Sequence, residues 1–290
     1  MISPSSAAVA RSREPLQAQA FAPIVGASRQ LSRLDVLATS PSTNTALLKA
    51  AASEPGEWPA FSGIVADHQT AGRGRAGRSW ATPQGAALTV SFLLRPSVSA
   101  DALGWAPLVV GFATVRALRD AGVGAYLKWP NDVVVEAGVK DIPGWGRWRK
   151  TVGVLCEVVP GSVESPDGAA IVAGIGINVS QSPSELPVPH AASLATLGAT
   201  GLDRVALLRS LAAHLRDAVA GWEGESEHFS LRPDIEKVCA SIGWDVEVDM
   251  PGGSLVVGRA VGLGASGGLL VQADAGVTEV LAGDVRVRRS

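Results

Sequence analysis

At 290 residues and 47% hydrophobic content, the chain is long enough for one large or two modest domains with a real core. No apolar run reads as a bilayer span, Met1 to Arg13 lacks the continuous apolar segment of a signal peptide, and two distant cysteines give no disulfide framework; a soluble, cytoplasmic protein is expected. A net charge of -2 argues against a general polyanion-binding coat, so any cluster of arginines is a placed one.

Residues 1–30 are rich in Ala, Ser, Arg and Pro without a sustained period, which predicts a disordered leader. Residues 31–37 predict a short strand, and 46–52 a helix. Ser42, Thr43 and Asn44 stand where that helix begins, either as an N-cap cluster or as small polar side chains converging on a neutral polar ligand.

Strand-length apolar runs at 63–66 and 87–94 flank the densest motif of the chain, where Arg73, Arg75 and Arg78 interleave with Gly72, Gly74 and Gly77 ahead of Trp80. Glycine lets backbone amides approach an anion, and each guanidinium offers a planar fork of donors to carboxylate or phosphate oxygens. With no apolar face to bury, the loop is expected to be mobile until something negative fills it. The glycine spacing satisfies G-x-G-x-x-G, but Pro83 and Gly85 break any helix at once, and no acid lies between Gly77 and Asp101, so the dinucleotide fingerprint is incomplete. No Gly-Lys-Ser/Thr follows to make a P-loop.

A mostly buried helix is predicted over 101–120, then strands over 123–128 and 132–136, separated by Trp129-Pro130. Lys128, at the end of an apolar strand and before a rigid corner, is either an ordinary strand-end lysine or an ammonium held to stabilise negative charge. Residues 138–149 read as a hairpin connection or insertion, and strands over 151–159 and 169–179 as a meander. In Gly174-Ile-Gly-Ile-Asn178 the two strand glycines mark either tight core packing or close approach of another group, and Asn178 at the exit can bind a nucleotide or a hydrated metal. An amphipathic helix over 203–222 and a second over 232–241 precede short alternating strands with Gly turns, which predict a small SH3-like barrel from about residue 241. The organisation expected is therefore a leader (1–30), a larger domain of strands and helices (31–240) and a C-terminal barrel (241–290). The four histidines show no ligand spacing, and Cys156 reads as a core residue.

Taken as an ordered set, Ser42-Thr43-Asn44, Gln69 with residues 72–78 and Trp80, residues 128–132, Lys150 with Gly153, and Gly174 to Asn178 closely resemble the biotin protein ligases, over roughly residues 31–290. The resemblance implies an α+β fold: a mixed or antiparallel sheet with flanking helices, as in the class II synthetase-like biotin/lipoate ligases, followed by the SH3-like barrel. It implies ATP-dependent formation of biotinyl-5'-AMP and transfer of biotin to a lysine of a carboxylase carrier domain.

By match to that family, Ser42, Thr43, Asn44, Gln69, Arg73, Gly74, Arg75 and Lys128 fall to biotin, with Arg73, Arg75 and Lys128 also catalytic. Arg75, Arg78, Trp80, Asn131, Lys150 and Asn178 fall to ATP. Mg2+ is expected on the ATP phosphates without a dedicated carboxylate cage; Asp132 either orients Lys128 or helps with the ion, and Asn178 is a second candidate. Closure of the loop is expected to shield the adenylate from water. Two departures stand out: Ala76 where relatives often carry a basic residue, and a 138–149 segment that looks long.

Some relatives carry an N-terminal helix-turn-helix, for which about thirty residues are too few, so the expectation is a monomer or weak homodimer acting without DNA or membrane. Two alternatives stay open: a lipoate or octanoate ligase on the same scaffold, whose pocket would need a longer apolar tunnel, and a nucleic-acid-binding module without chemistry, which the acidic net charge weighs against.

Overall fold

The structure is a computed structural model that describes residues 6–137, 140–162, 168–200, 202–224 and 231–288. Seven strands form the main sheet: β1 (Arg33–Ser40), β2 (Ser62–Gln69), β3 (Ala87–Leu94), β4 (Ala125–Lys128), β5 (Asp132–Glu136), β6 (Trp148–Val158) and β7 (Ile171–Asn178). Their order is β1-β2-β3-β7-β6-β5-β4. The β1–β2 pair is parallel and the remaining neighbours antiparallel, the mixed sheet that was expected. The parallel pair is joined through helix α2 (Thr43–Ser53), since parallel neighbours need a crossover.

Strand β3 is buried at all eight positions, which explains its unbroken apolar run. With side chains alternating between faces, Leu88, Val90, Phe92 and Leu94 join the main core, whereas Leu93 packs with Leu47 and Ala51 of α2 on the other side. The main core is closed by α3 (Ala106–Asp120) and α4 (Arg204–Glu223). Asp203 caps α4 by accepting from the Val205 and Ala206 amides.

Residues 100–120 are, by length and composition, the one helical stretch among those described that could cross a membrane, which differs from the expectation that no such run exists. Two thirds of the window (67%) is buried inside the protein. The apolar character therefore serves a core helix lying on the sheet.

The leader also differs from expectation. Helix α1 (Ser6–Ser12) and a 3-10 segment (Ala18–Ile24) are followed by Leu31, and Leu16, Phe21, Ile24 and Leu31 are all buried. The isolated apolar residues show no period because they anchor an irregular strap. What holds the strap is polar: the buried Arg204 guanidinium donates to the Ser12 carbonyl at 2.9 Å and the Glu14 carbonyl at 2.6 Å, and pairs with Asp67 at 2.8 Å. Gly85 lets the strap pass, because a Cβ there would lie 2.6 Å from the Arg13 carbonyl oxygen.

After α5 (Arg232–Val238), the strands β8 (Asp245–Asp249), β9 (Leu255–Leu263), β10 (Leu269–Ala273), β11 (Gly276–Val280) and β12 (Asp284–Val287) form an antiparallel sheet in the order β11-β10-β9-β8-β12, consistent with a small barrel. It docks behind the Trp-Pro corner. The Trp129 indole donates to Gly267 O at 2.9 Å and the Trp105 indole to Ala265 O at 2.7 Å.

Candidate active site

One cavity, of about 130 Å3, brings together residues from six separate stretches of chain. Among them are Ser42, Thr43 and Asn44, which begin α2, with Gln69 at the end of β2. Both readings of this cluster apply. Ser42 is the N-cap, accepting from the Thr45 amide at 3.4 Å, while Thr43 and Asn44 face the cavity.

The Gln69 carbonyl oxygen accepts from the Thr43 amide (2.8 Å) and hydroxyl (3.1 Å). Ser91 of β3, which no motif marked, donates either to Thr43 Oγ1 at 2.7 Å or to Asn44 Oδ1 at 2.6 Å. The result is a fixed patch of small polar side chains, with the Asn44 amide also donating to Glu157 at 3.0 Å, and its neutral donors and acceptors suit an uncharged polar ring.

The two strand glycines mark close approach, as anticipated. A Cβ on Gly174 would lie 2.1 Å from Asn44 Oδ1, and one on Gly176 would lie 2.5 Å from the Trp80 ring. Trp80 thus rests on the flat floor made by β7 and by Gly153 of β6, with its indole nitrogen buried and unpartnered. Small-molecule sites commonly span about 300–1,000 Å3. The cavity, at about 130 Å3, lies below that range.

The lining residues also include five cations, Arg73, Arg75, Arg78, Lys128 and Lys150, against two carboxylates, Asp132 and Asp284. That excess draws anions to a site partly closed from water. The arginine loop itself does not lack a course. Gly74 N donates to Arg78 O at 2.6 Å, Trp80 N donates to Gly72 O at 2.8 Å, and each guanidinium takes a polar group of the protein.

Arg73 pairs with Glu157 at 2.8 Å, Arg75 donates to Asn131 Oδ1 at 2.9 Å, and Arg78 pairs with Asp284 of β12. The chain's own carboxylates and amide stand where an anionic ligand would compete. Burial holds the Arg75 pKa below that of a free guanidinium.

Lys128 is 4% exposed, and burial pulls its pKa below the ordinary lysine value, with Asp132 opposing. Asp132 lies between two ammonium groups, 2.5 Å from Lys150 Nζ and 4.0 Å from Lys128 Nζ. Burial pushes its carboxyl up, but Lys150 and then Lys128 outweigh that and keep it below the usual range. A carboxylate so engaged is held by both lysines. Among the described residues no group of three or more His, Cys, Asp or Glu side chains could hold a metal.

Asn131 lines the cavity, its amide donating to Val154 O at 2.6 Å. Asn178 does not line it: its side chain donates to Ala192 O at 3.2 Å and accepts from Gln181 at 2.8 Å. Cys156, partly buried, has its thiol pushed up to about 12 by burial, which makes it inert. Sequence reasoning missed Glu157, Asp284 and Ser91. Only Ser91 had a local signal, a lone hydroxyl inside an otherwise apolar strand.

Comparison with known proteins agrees with this geometry. The biotin/lipoate A/B protein ligase family matches residues 36–178. A biotin–[acetyl-CoA-carboxylase] ligase of Mycobacterium tuberculosis is 35% identical over 285 residues, covering 95% of this chain and 97% of its own. The bifunctional ligase/repressor BirA of Escherichia coli is 30% identical, covering 95% and 80% respectively. Among solved structures, the biotin protein ligase from Aquifex aeolicus in complex with biotin and ATP aligns with a TM-score of 0.68 at 30% identity, over 90% of this chain and 100% of that one.

Proposed function

Because the chain belongs to the biotin/lipoate A/B protein ligase family, we propose that it is an ATP-dependent biotin–protein ligase whose reaction runs in the cavity between α2, the arginine loop and Lys128. The observation that carries this reading is the lining of that one cavity, which joins the neutral hydrogen-bonding groups of Ser42, Thr43, Asn44 and Gln69 to five cations. Biotin likewise joins an uncharged ureido ring to an anionic tail.

In the first step a biotin carboxylate oxygen attacks the α-phosphorus of MgATP; an O–P bond forms, the bond to the β-phosphate bridging oxygen breaks, and pyrophosphate leaves. Two anions must meet for this to happen. Arg73, Arg75 and Lys128 offset their repulsion, and Lys150, Arg78, Trp80 and Asn131 serve the nucleotide side. Loss of one such preorganised donor typically raises a barrier by about 2.7–4 kcal/mol. No protein nucleophile is needed, in keeping with the inert Cys156 thiol.

In the second step a lysine amine of a carboxylase carrier domain attacks the acyl carbon. A C–N bond forms, AMP leaves with the C–O electron pair, and the amine proton passes to solvent. Water would intercept the adenylate, so the loop that carries Trp80 shields it between steps. The reading extends to a cytoplasmic monomer or weak homodimer acting without DNA or membrane.

A lipoate or octanoate ligase is less well supported. The Ser42–Gln69 patch suits a ureido headgroup, and the 35% identical relative is named for biotin. The test is ATP–pyrophosphate exchange with biotin, lipoate and octanoate compared side by side. Exchange with biotin alone is expected; exchange driven only by the fatty acids would overturn the substrate, and none with any of the three would overturn the reaction.

A further inference from the structure

The insertion before Lys150 contributes an aromatic face to the site. Trp145 lies in a tight turn where its amide donates to Ile142 O at 2.9 Å and the Gly146 amide to the same oxygen at 2.8 Å. Gly144 and Gly146 take positive φ values of 76° and 54°, which the turn requires. The turn is anchored from two sides. Val287 of β12 donates to Gly144 O at 3.0 Å, and the Trp145 ring stacks on His190 with centroids 4.1 Å apart and planes 9° from parallel. His190 is itself tied to the site, because its carbonyl accepts from the Lys150 amide at 2.7 Å.

Against this fixed indole stands the Lys128 ammonium, 4.5 Å from the ring centroid. Its nearby carboxylate, Asp132, is 4.0 Å away because Lys150 holds it at 2.5 Å. The ring, at 4.5 Å, is a second support beside the Asp132 carboxylate at 4.0 Å, and it has a property that a carboxylate partner lacks. A π face attracts the charge without accepting a directed hydrogen bond, so the three N–H donors stay available to incoming oxygens. A cation–π contact is also strongest where water is excluded, and Lys128 is 4% exposed.

We infer that Trp145 is a positioning residue for Lys128 in adenylate formation, holding the ammonium on its indole face so that its donors point at the reacting carboxylate and phosphate. This rests on the proposed ligase reaction and adds to it a residue outside the shared motifs. It also gives the 138–149 segment a role: its described part carries an aromatic support from the C-terminal sheet to the lysine.

The test compares Trp145→Leu, Trp145→Phe and the unmodified protein in ATP–pyrophosphate exchange with biotin, resolving kcat from both KM values. Trp145→Leu is expected to lower kcat about tenfold or more, in line with a desolvated cation–π contact. KM for biotin and for MgATP should stay within about threefold, since the interaction matters when charge is reorganising. Trp145→Phe, which keeps a π face, should recover most of the rate.

A raised KM for MgATP at unchanged kcat would overturn the inference and make Trp145 a nucleobase platform. Equal rates in all three proteins would overturn it in favour of plain packing. Should Trp145→Leu not fold, Trp145→Gln at the same partly exposed position makes the same comparison. A parent protein with no biotin-dependent exchange would overturn the ligase reading itself, and this inference with it.

Discussion

Arg78 of the arginine loop is ion-paired with Asp284 of the C-terminal sheet. The pair fastens one side of the loop that covers the cavity to a strand more than two hundred residues away in sequence. Both side chains are about half exposed, so the bond contributes little to global stability. Its effect is on loop position. Asp284→Asn should therefore leave the melting temperature nearly unchanged while the loop opens more often. A pair worth about 1 kcal/mol would change the open population about fivefold. Free biotinyl-adenylate in a quench assay should rise by that order; no rise would detach the C-terminal sheet from shielding.

Lys128→Ala removes the most buried cation of the site. Asp132 keeps Lys150 at 2.5 Å, so no carboxylate is left buried without a partner and the fold should survive. Exchange should fall about 100- to 1,000-fold, the usual loss for one preorganised charge donor. Near-normal exchange with circular dichroism unchanged would remove Lys128 from the chemistry.

Gly174 offers a steric test of the neutral patch. An added methyl would lie 2.1 Å from Asn44 Oδ1, and Asn44 is tied to Leu155 O at 3.0 Å, so it cannot yield freely. Gly174→Ala should push the amide off its present position and cost it one hydrogen bond to a ligand, about three- to tenfold in KM for biotin. KM for MgATP should not follow. An equal rise in both would mean that the strand as a whole had shifted.

The floor of the site was partly legible: glycines at 174 and 176 in an apolar strand left tight packing or close approach open, and the structure supplies the approaching groups, Asn44 and Trp80. The same holds for β3, whose unbroken apolar run matches burial on both faces. What could not be read was long-range pairing. Nothing near Asp284 distinguishes it from any strand-end acid, and its relation to Arg78 exists only once β12 has docked. The strap over 9–31 was illegible for a related reason. Phe21 and Ile24 have no periodic neighbours; they pack into a core built from distant stretches, and the chain just before them is held by Arg204, far along the sequence.

His190 gives a pH-dependent test of the Trp145 stack. Burial lowers its pKa from 6.5 to about 4, with Lys150 adding to the effect. Between those values the unfolded chain binds a proton that the folded one excludes, so the contribution is full above pH 6.5 and is lost as pH falls toward 4. His190→Phe keeps a flat ring against Trp145 and removes the titration. At pH 7.5 the variant and its parent should unfold at similar urea concentrations. At pH 5 the variant should be the more stable by about 1 kcal/mol, a figure reduced for the partial solvent exposure of the ring. Parallel stability curves for the two proteins from pH 7.5 to 5 would show that the His190 imidazole is not held neutral by its burial against Trp145.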